Sequence, residues 1–191
     1  KEENAQAMRS AIEKVKSQLG REYPLVIGGE RITTEGKLDS INPANRTQVV
    51  GRFNKATKEL ATRAVDTAYE TFKTWRKTSP QDRANLLFRV AAILRERKHE
   101  MSAWMIHEVA KTWAEADGDT AEAIDFCEFY AREMLRYAGD QPLVNIPGEE
   151  NELSYVPLGV GAVIPPWNFP LAIMAGMTCA AVVTGNTVVL K

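Results

Sequence analysis

Residues 160–191 read VGAVIPPWNFPLAIMAGMTCAAVVTGNTVVLK, and the order of residue types in that stretch decides the fold. VGAV is a β-rich run that enters a turn at Pro165 and Pro166, which fix the chain direction and remove two amide donors. PLAIMAGMTCAAVV is of helical length, with Gly, Ala and Thr on its surface, so it can pack close against a sheet. Gly185 or Asn186 ends it. TVVLK then begins a second buried strand. Strand, turn, helix, strand is a βαβ crossover, which requires a parallel sheet, so the fold class is α/β. In open α/β sheets ligands bind beyond the carboxyl ends of the strands. Residues 164–168 and Lys191 fall at two such ends. Two readings of the turn stay open on the residues alone. In one it is a packed turn, with Trp167 and Phe169 as ordinary core fillers. In the other Trp167 is a flat wall and the Asn168 carboxamide donates to a reacting carbonyl. A donor of that kind, aimed at a developing alkoxide, contributes about 3 kcal/mol of barrier lowering. Lys191 either donates to hydroxyls or phosphates or is simply solvated.

Upstream, Met8, Ile12, Val15 and Leu19 follow helical spacing, and Gly20 ends that helix. YPLVIGGERIT is β-rich on both sides of Gly28–Gly29, which suits a tight hairpin. INPANRTQVVGRF reads as a loop and then a short extended segment. From Ala56 the period becomes helical, with Leu60, Ala64, Ala68, Phe72 and Trp75 in one stripe and Val65 and Tyr69 beside it. Ser79 is placed to cap the next helix, with Pro80 at its first position and Asp82 near its positive end. Leu87, Val90 and Leu94 are expected to face inward. MSAWMIHEVAKTW continues in helical period. DTAEAIDFCEFYAREMLRYAG is a long helix whose inner face includes Ile124, Cys127, Ala131 and Met134. QPLVNIPGEENELSYVPLG alternates loosely and turns at Pro147–Gly148, which predicts a β-hairpin over 139–158. A hairpin alone is marginal in water, so it is expected to lie on something, including another subunit.

The totals narrow the function classes. Hydrophobic residues make up 45% and charged residues 26% of the chain, as in soluble globular proteins. A net charge of −1 supplies no basic field for nucleic acid or an anionic membrane. The longest apolar run, residues 169–183, is shorter than the about 20 residues a spanning helix needs. The charged opening KEENAQAMRSAIEKVKSQLG is unlike a secretory signal. Two cysteines, Cys127 and Cys179, stand in very different sequence surroundings, which favours a reducing, cytoplasmic compartment without a disulfide framework. Both are expected to be inert small hydrophobes rather than nucleophiles. With two histidines, His99 and His107, assigned to packing or the surface, no metal site is expected. Glu115 and Asp117 in WAEADGD read either as solvated residues at a helix start or as an electrostatic contact near a substrate amino group. The helices need a larger sheet to cover and the chain stops inside its second parallel strand, so a longer parent protein is expected.

The stretch PLGVGAVIPPWNFPLAIMAGMTCAAVVTGNTVVLK resembles the aldehyde dehydrogenase superfamily, whose members carry a Pro-Trp-Asn-Phe-Pro turn followed by a Gly-Asn-Thr-Val-Val-x-Lys strand. INPANRTQVVGRF resembles the family's Asn-Pro-Ala segment. HEVAKTWAEADGDTAEAIDFCEFYAREM is similar to the 1-pyrroline-5-carboxylate (L-glutamate γ-semialdehyde) dehydrogenase branch, as are REYPLVIGGERI and RANLLFRVAAILRERKHE. The resemblance implies the N-terminal part of an aldehyde dehydrogenase-like fold, with helices on a parallel, Rossmann-like sheet and a protruding β-hairpin. Residues 1–138 and 159–191 would belong to the NAD-binding domain and 139–158 to an oligomerisation arm, the catalytic domain lying outside this chain.

By resemblance, a cysteine thiolate attacks the aldehyde, Asn168 holds the oxyanion, NAD takes the hydride, and a glutamate activates water. That cysteine and that glutamate are expected downstream. Ile164, Pro165, Pro166 and Trp167 would line the dinucleotide cleft. Lys191 would reach the adenosine ribose and Phe169 would pack beside the aldehyde chain; Glu115 is carried as a substrate contact on its charge alone. The implied partners are a small-molecule aldehyde and, through the arm, a second copy of the chain; no nucleic acid or membrane is expected. Two rivals remain. One is a non-catalytic association module. The other is a dehydrogenase for another aldehyde, such as betaine aldehyde or succinate semialdehyde, with NAD against NADP also open.

Overall fold

The computed structural model describes residues 2–191. Its element boundaries follow local turn and cap chemistry. Helix α1 (Glu2–Lys16) buries Met8, Ala11 and Val15, and a turn then carries the chain to Gly20. Strands β1 (Arg21–Tyr23) and β2 (Leu25–Ile27) follow, and β2 pairs antiparallel with β3 (Glu30–Ile32). Gly28 (φ 59°) and Gly29 (φ 84°) form the turn between them, a conformation that favours glycine at both positions. Strand β4 (Lys37–Ile41) pairs antiparallel with β5 (Val49–Asn54), and β5 pairs on its other side, in parallel, with β1.

Helix α2 (Lys58–Trp75) starts at Thr57, whose side chain accepts from the Leu60 amide, and buries Ala68 and Phe72. The flanking Val65 and Tyr69 are exposed. Helix α3 (Pro80–Glu96) begins as expected: the Ser79 hydroxyl accepts from the Asp82 amide and Pro80 opens the first turn. Its buried line is Ala84, Leu87 and Ala91, a rotation that leaves Val90 exposed and Leu94 at the margin. Helix α4 (Lys98–Val109) does not run on as the periodicity suggested. Ala110 adopts a left-handed conformation (φ 53°) and stops it. Helix α5 (Trp113–Ala138) restarts at a capping box in which Thr112 and Glu115 exchange hydrogen bonds. Ile124, Cys127, Ala131 and Met134 all lie in its buried face, in one cluster with Ala84, Leu87, Ala91, Cys179 and Val183.

The segment 139–158 corrects the sequence reading. No strand forms there; the two limbs run extended and largely exposed, with Leu158 96% accessible. The turn itself is as expected, because the Glu149 amide donates to the Ile146 carbonyl at 3.0 Å across Pro147–Gly148, with Gly148 at φ 86°. The arm then returns to the body, where Asn186 Oδ1 accepts the Leu158 and Gly159 amides at 2.6 and 2.9 Å.

The final unit is a parallel crossover. Strand β6 (Val160–Val163) lies parallel to β7 (Thr187–Leu190), joined through helix α6 (Ala172–Val183). Among the described residues no helix is long and apolar enough to cross a membrane. Helix α6 packs on α5 at close range, since a Cβ on Gly176 would stand 2.9 Å from the Phe126 ring. That ring is stacked on Tyr130 at 5.7 Å and cannot swing away freely. Gly176→Ala is therefore expected to cost about 1–3 kcal/mol of stability, read as a lowered midpoint in urea; an unchanged midpoint would mean the helices part without penalty.

Candidate active site

The parallel register brings two chain segments side by side. Val163 pairs with Leu190, and the Lys191 amide donates to the Val163 carbonyl at 3.0 Å. The turn that leaves β6 and the lysine that follows β7 therefore start from one sheet edge, at the carboxyl ends. Ile164, Pro166, Trp167, Asn168 and Phe169 are exposed there, Pro165 is half-buried, and Trp167 is 77% accessible. The reading of Trp167 and Phe169 as core fillers does not hold. The Asn168 side chain has no hydrogen-bond partner among the described residues, so its amide is not spent on closing the turn.

The turn runs straight into α6. The Phe169 carbonyl accepts the Ile173 amide at 3.3 Å and the Leu171 carbonyl accepts the Ala175 amide at 2.8 Å. Leu171, at the helix cap position, offers no side-chain cap. The Ala172 amide is satisfied instead by Oδ1 of Asp119, at 2.7 Å, from α5. The other oxygen of Asp119 takes the Lys111 ammonium at 2.7 Å, and the two side chains are 0% and 10% exposed. The same ammonium lies 3.9 Å from the centre of the Phe169 ring.

A sequence model of the aldehyde dehydrogenase family matches residues 31–191. The chain belongs to the aldehyde dehydrogenase family. It is 62% identical over 188 residues to a 1-pyrroline-5-carboxylate dehydrogenase of Geobacillus thermodenitrificans, covering 98% of this chain and 36% of that protein. Among solved structures, 1-pyrroline-5-carboxylate dehydrogenase from Thermus with bound NAD superposes with a TM-score of 0.95 at 48% identity, over all of this chain and 37% of the other. Proline utilization A from Bdellovibrio bacteriovorus gives 0.97 at 40% identity, over all of this chain and 20% of the other. The chain thus spans about 37% of the length of the dehydrogenases it matches.

Within this aldehyde dehydrogenase chain the remaining candidates fall as follows. Glu115 stands at the start of α5, where its carboxylate accepts from the Thr112 amide at 3.0 Å and from the Thr112 hydroxyl at 2.8 Å. The backbone bond, then the hydroxyl, hold it below the usual carboxylate range. Asp117 pairs with Lys98 at 3.3 Å on the surface. His107 is buried in helix packing. A groove of about 830 Å³ lies between the arm and the body, lined in part by Arg76, Arg83, Tyr137 and Leu158; no residue of 164–169 lines it.

The two cysteines overturn the expectation of separate surroundings. They meet in one core, with sulfurs 3.6 Å apart, both buried and both free thiols. Contact with the Cys127 sulfur, and then burial, push the Cys179 thiol far above its ordinary range. Lys111 and Asp119 were not singled out in the sequence. The available signal was an acid on the apolar stripe of α5, in register with Ala116, Ala123 and Cys127. The cysteine environment predicts that iodoacetamide at neutral pH leaves both thiols of the native protein unlabelled and modifies both after denaturation. Rapid native labelling of Cys179 would show an accessible thiolate that this packing does not allow.

Proposed function

We propose that this chain forms the N-terminal part of an NAD-dependent dehydrogenase that oxidises L-glutamate γ-semialdehyde, the open form of 1-pyrroline-5-carboxylate, to L-glutamate. The observation that carries the reading is the Asn168 carboxamide, exposed and internally unpaired, on the carboxyl edge where Lys191 also ends. Identity of 62% to a 1-pyrroline-5-carboxylate dehydrogenase favours this aldehyde over betaine aldehyde or succinate semialdehyde. The Thermus relative with bound NAD supports that cofactor.

The residues at the edge suit a dinucleotide. Ile164 and Trp167 present apolar surface, Pro165 and Pro166 fix its direction, and the Lys191 ammonium can donate to ribose hydroxyls. When bound, NAD accepts the hydride lost from the aldehyde carbon. Asn168 donates an N–H to the aldehyde oxygen as negative charge builds on it, which favours the transition state over the bound aldehyde. Phe169 sits next to it, where a short aliphatic chain can lie against the ring. Glu115 is anionic at the start of α5 and supplies charge of the sign that the substrate's ammonium group requires. The thiolate and the water-activating carboxylate are assigned to the parent protein outside residues 1–191. Residues 1–138 and 159–191 are assigned to its NAD-binding domain.

The exposed arm 139–158 is assigned to association with a second copy of the chain. Its support is the run of accessible apolar side chains Val144, Val156 and Leu158, which gain by burial. The same surface is the one observation favouring a purely associating module. Asn168→Ala in the full-length protein separates these readings. It is expected to lower kcat about 10²–10³-fold with NAD affinity nearly unchanged, measured with the semialdehyde in a panel of aldehydes. Turnover equal to the parent's would remove the oxyanion role.

A further inference from the structure

We infer that Lys111 and Asp119 are positioning residues for Asn168, holding the turn from behind through one buried ion pair. The inference rests on the oxyanion-donor reading of Asn168. An unpaired carboxamide on a turn has no direction of its own; its direction is inherited from the backbone on either side. Upstream that backbone is fixed by β6 and two prolines. Downstream it is fixed at two points, and both lead to the same pair. At Ala172 the amide is held by Asp119 Oδ1 at 2.7 Å. At Phe169 the ring faces the Lys111 ammonium at 3.9 Å. The pair is closed by the 2.7 Å contact between Lys111 Nζ and Asp119 Oδ2.

The pair is rooted away from the sheet. Asp119 projects from the second turn of α5, and Lys111 from the linker between Ala110 and the Thr112 cap. Neither is exposed enough to contact a solvent-borne ligand directly, so their influence on chemistry passes through the turn. Removing the ammonium leaves Asp119 buried without its counter-charge, and the carboxylate then draws in water or shifts away from Ala172. Either response moves the start of α6 and, with it, the residue four places earlier. A displacement on the scale of 1 Å at a reacting centre costs about 10²-fold in rate.

The test is a double-mutant cycle in the full-length protein with L-glutamate γ-semialdehyde and NAD. Lys111→Met keeps the stem and removes the charge; Asp119→Asn keeps an acceptor for Ala172 and removes the charge. Each is expected to lower the single-turnover rate of NADH formation about tenfold to a hundredfold, with KM for NAD nearly unchanged; breaking the buried pair also lowers the melting temperature, so rates are compared at a temperature where every variant is folded. Combined with Asn168→Ala, neither should slow the reaction further, because the group it positions is gone. Lys111→Arg should recover much of the rate. If Asn168→Ala slows turnover while Lys111→Met and Asp119→Asn match the parent, or if their effects multiply with that of Asn168→Ala, the positioning inference fails and the oxyanion reading stands. If Asn168→Ala is itself without effect, the oxyanion reading fails first. If one variant does not fold, the other completes the cycle.

Discussion

An apolar helix with no side-chain cap at its amino end is the constraint on which this structure depends. Helix α6, AIMAGMTCAAVV, has no acidic residue in its first turn, no basic residue in its last, and no side-chain cap at Leu171. Its terminal amides and carbonyls still need partners once the helix is buried. Some come from the helix's own carboxyl end, where the Thr184 hydroxyl donates to the Ala180 and Ala181 carbonyls at 2.9 and 3.0 Å; the rest come from other elements. Asp119 meets the Ala172 amide at the amino end. At the carboxyl end Arg83 Nε donates to the Val183 carbonyl at 2.7 Å and the Trp75 indole to the Val182 carbonyl at 3.0 Å. The signs suit the helix dipole, an anion at the start and a cation at the end, with about 0.3–1 kcal/mol at each. Arg83 is 5% exposed and makes a further bond to the Thr78 carbonyl. Burial lowers its pKa, but from a value high enough that it stays a cation.

The same helix explains the small residues around it. A crossover helix held at both ends must lie close to α5, and close approach is open only to small side chains. Gly176 stands opposite Phe126, Ala172 and Ala175 share a cluster with Ala123, and Cys179 meets Cys127. The cysteines serve there as volume, both buried and in contact with each other. The Gly-Asn-Thr sequence after α6 is likewise structural. Gly185 (φ 91°) turns the chain beside Pro157, Asn186 ties down the returning arm, and the Thr187 hydroxyl donates to the Ala68 carbonyl at 2.8 Å. Leu190 and Lys191, at the end of that strand, are exposed.

What the sequence made legible was local. The diglycine turn at Gly28–Gly29 and the Ser79–Pro80 start depend on neighbours within a few positions, and the crossover of residues 160–191 on the order of three consecutive elements; each formed as read. Strands β1 and β4, REY and KLDSI, were missed because they are short and mostly exposed, so no alternation of apolar residues marks them. The arm misled for the converse reason, since it alternates but lies against α5 through single side chains, Tyr155 edge-on to Tyr137, and forms no ladder of its own. The Thr112–Glu115 box was present as Thr-x-x-Glu, and noticing it would have divided α4 from α5. The Cys127–Cys179 contact and the bond from Asp119 to Ala172 span 52 and 53 residues. Pairings of that kind belong to the tertiary fold, and no periodicity encodes them.

A buried ion pair is an expensive way to hold a linker to a helix, and an apolar pair of equal volume is often as stable or more so. Lys111 and Asp119 therefore need a reason beyond cohesion. The reason lies in the two oxygens of Asp119, which point to different elements: one to the Ala172 amide, the other to Lys111. A leucine at 119 would fill space but leave that amide unsatisfied. An asparagine would accept from it but leave Lys111 without a counter-charge. A carboxylate alone serves both, and the ammonium it holds comes to rest over Phe169, next to Asn168. The chemistry of that core position is set by the edge it supports, and packing alone would have chosen otherwise.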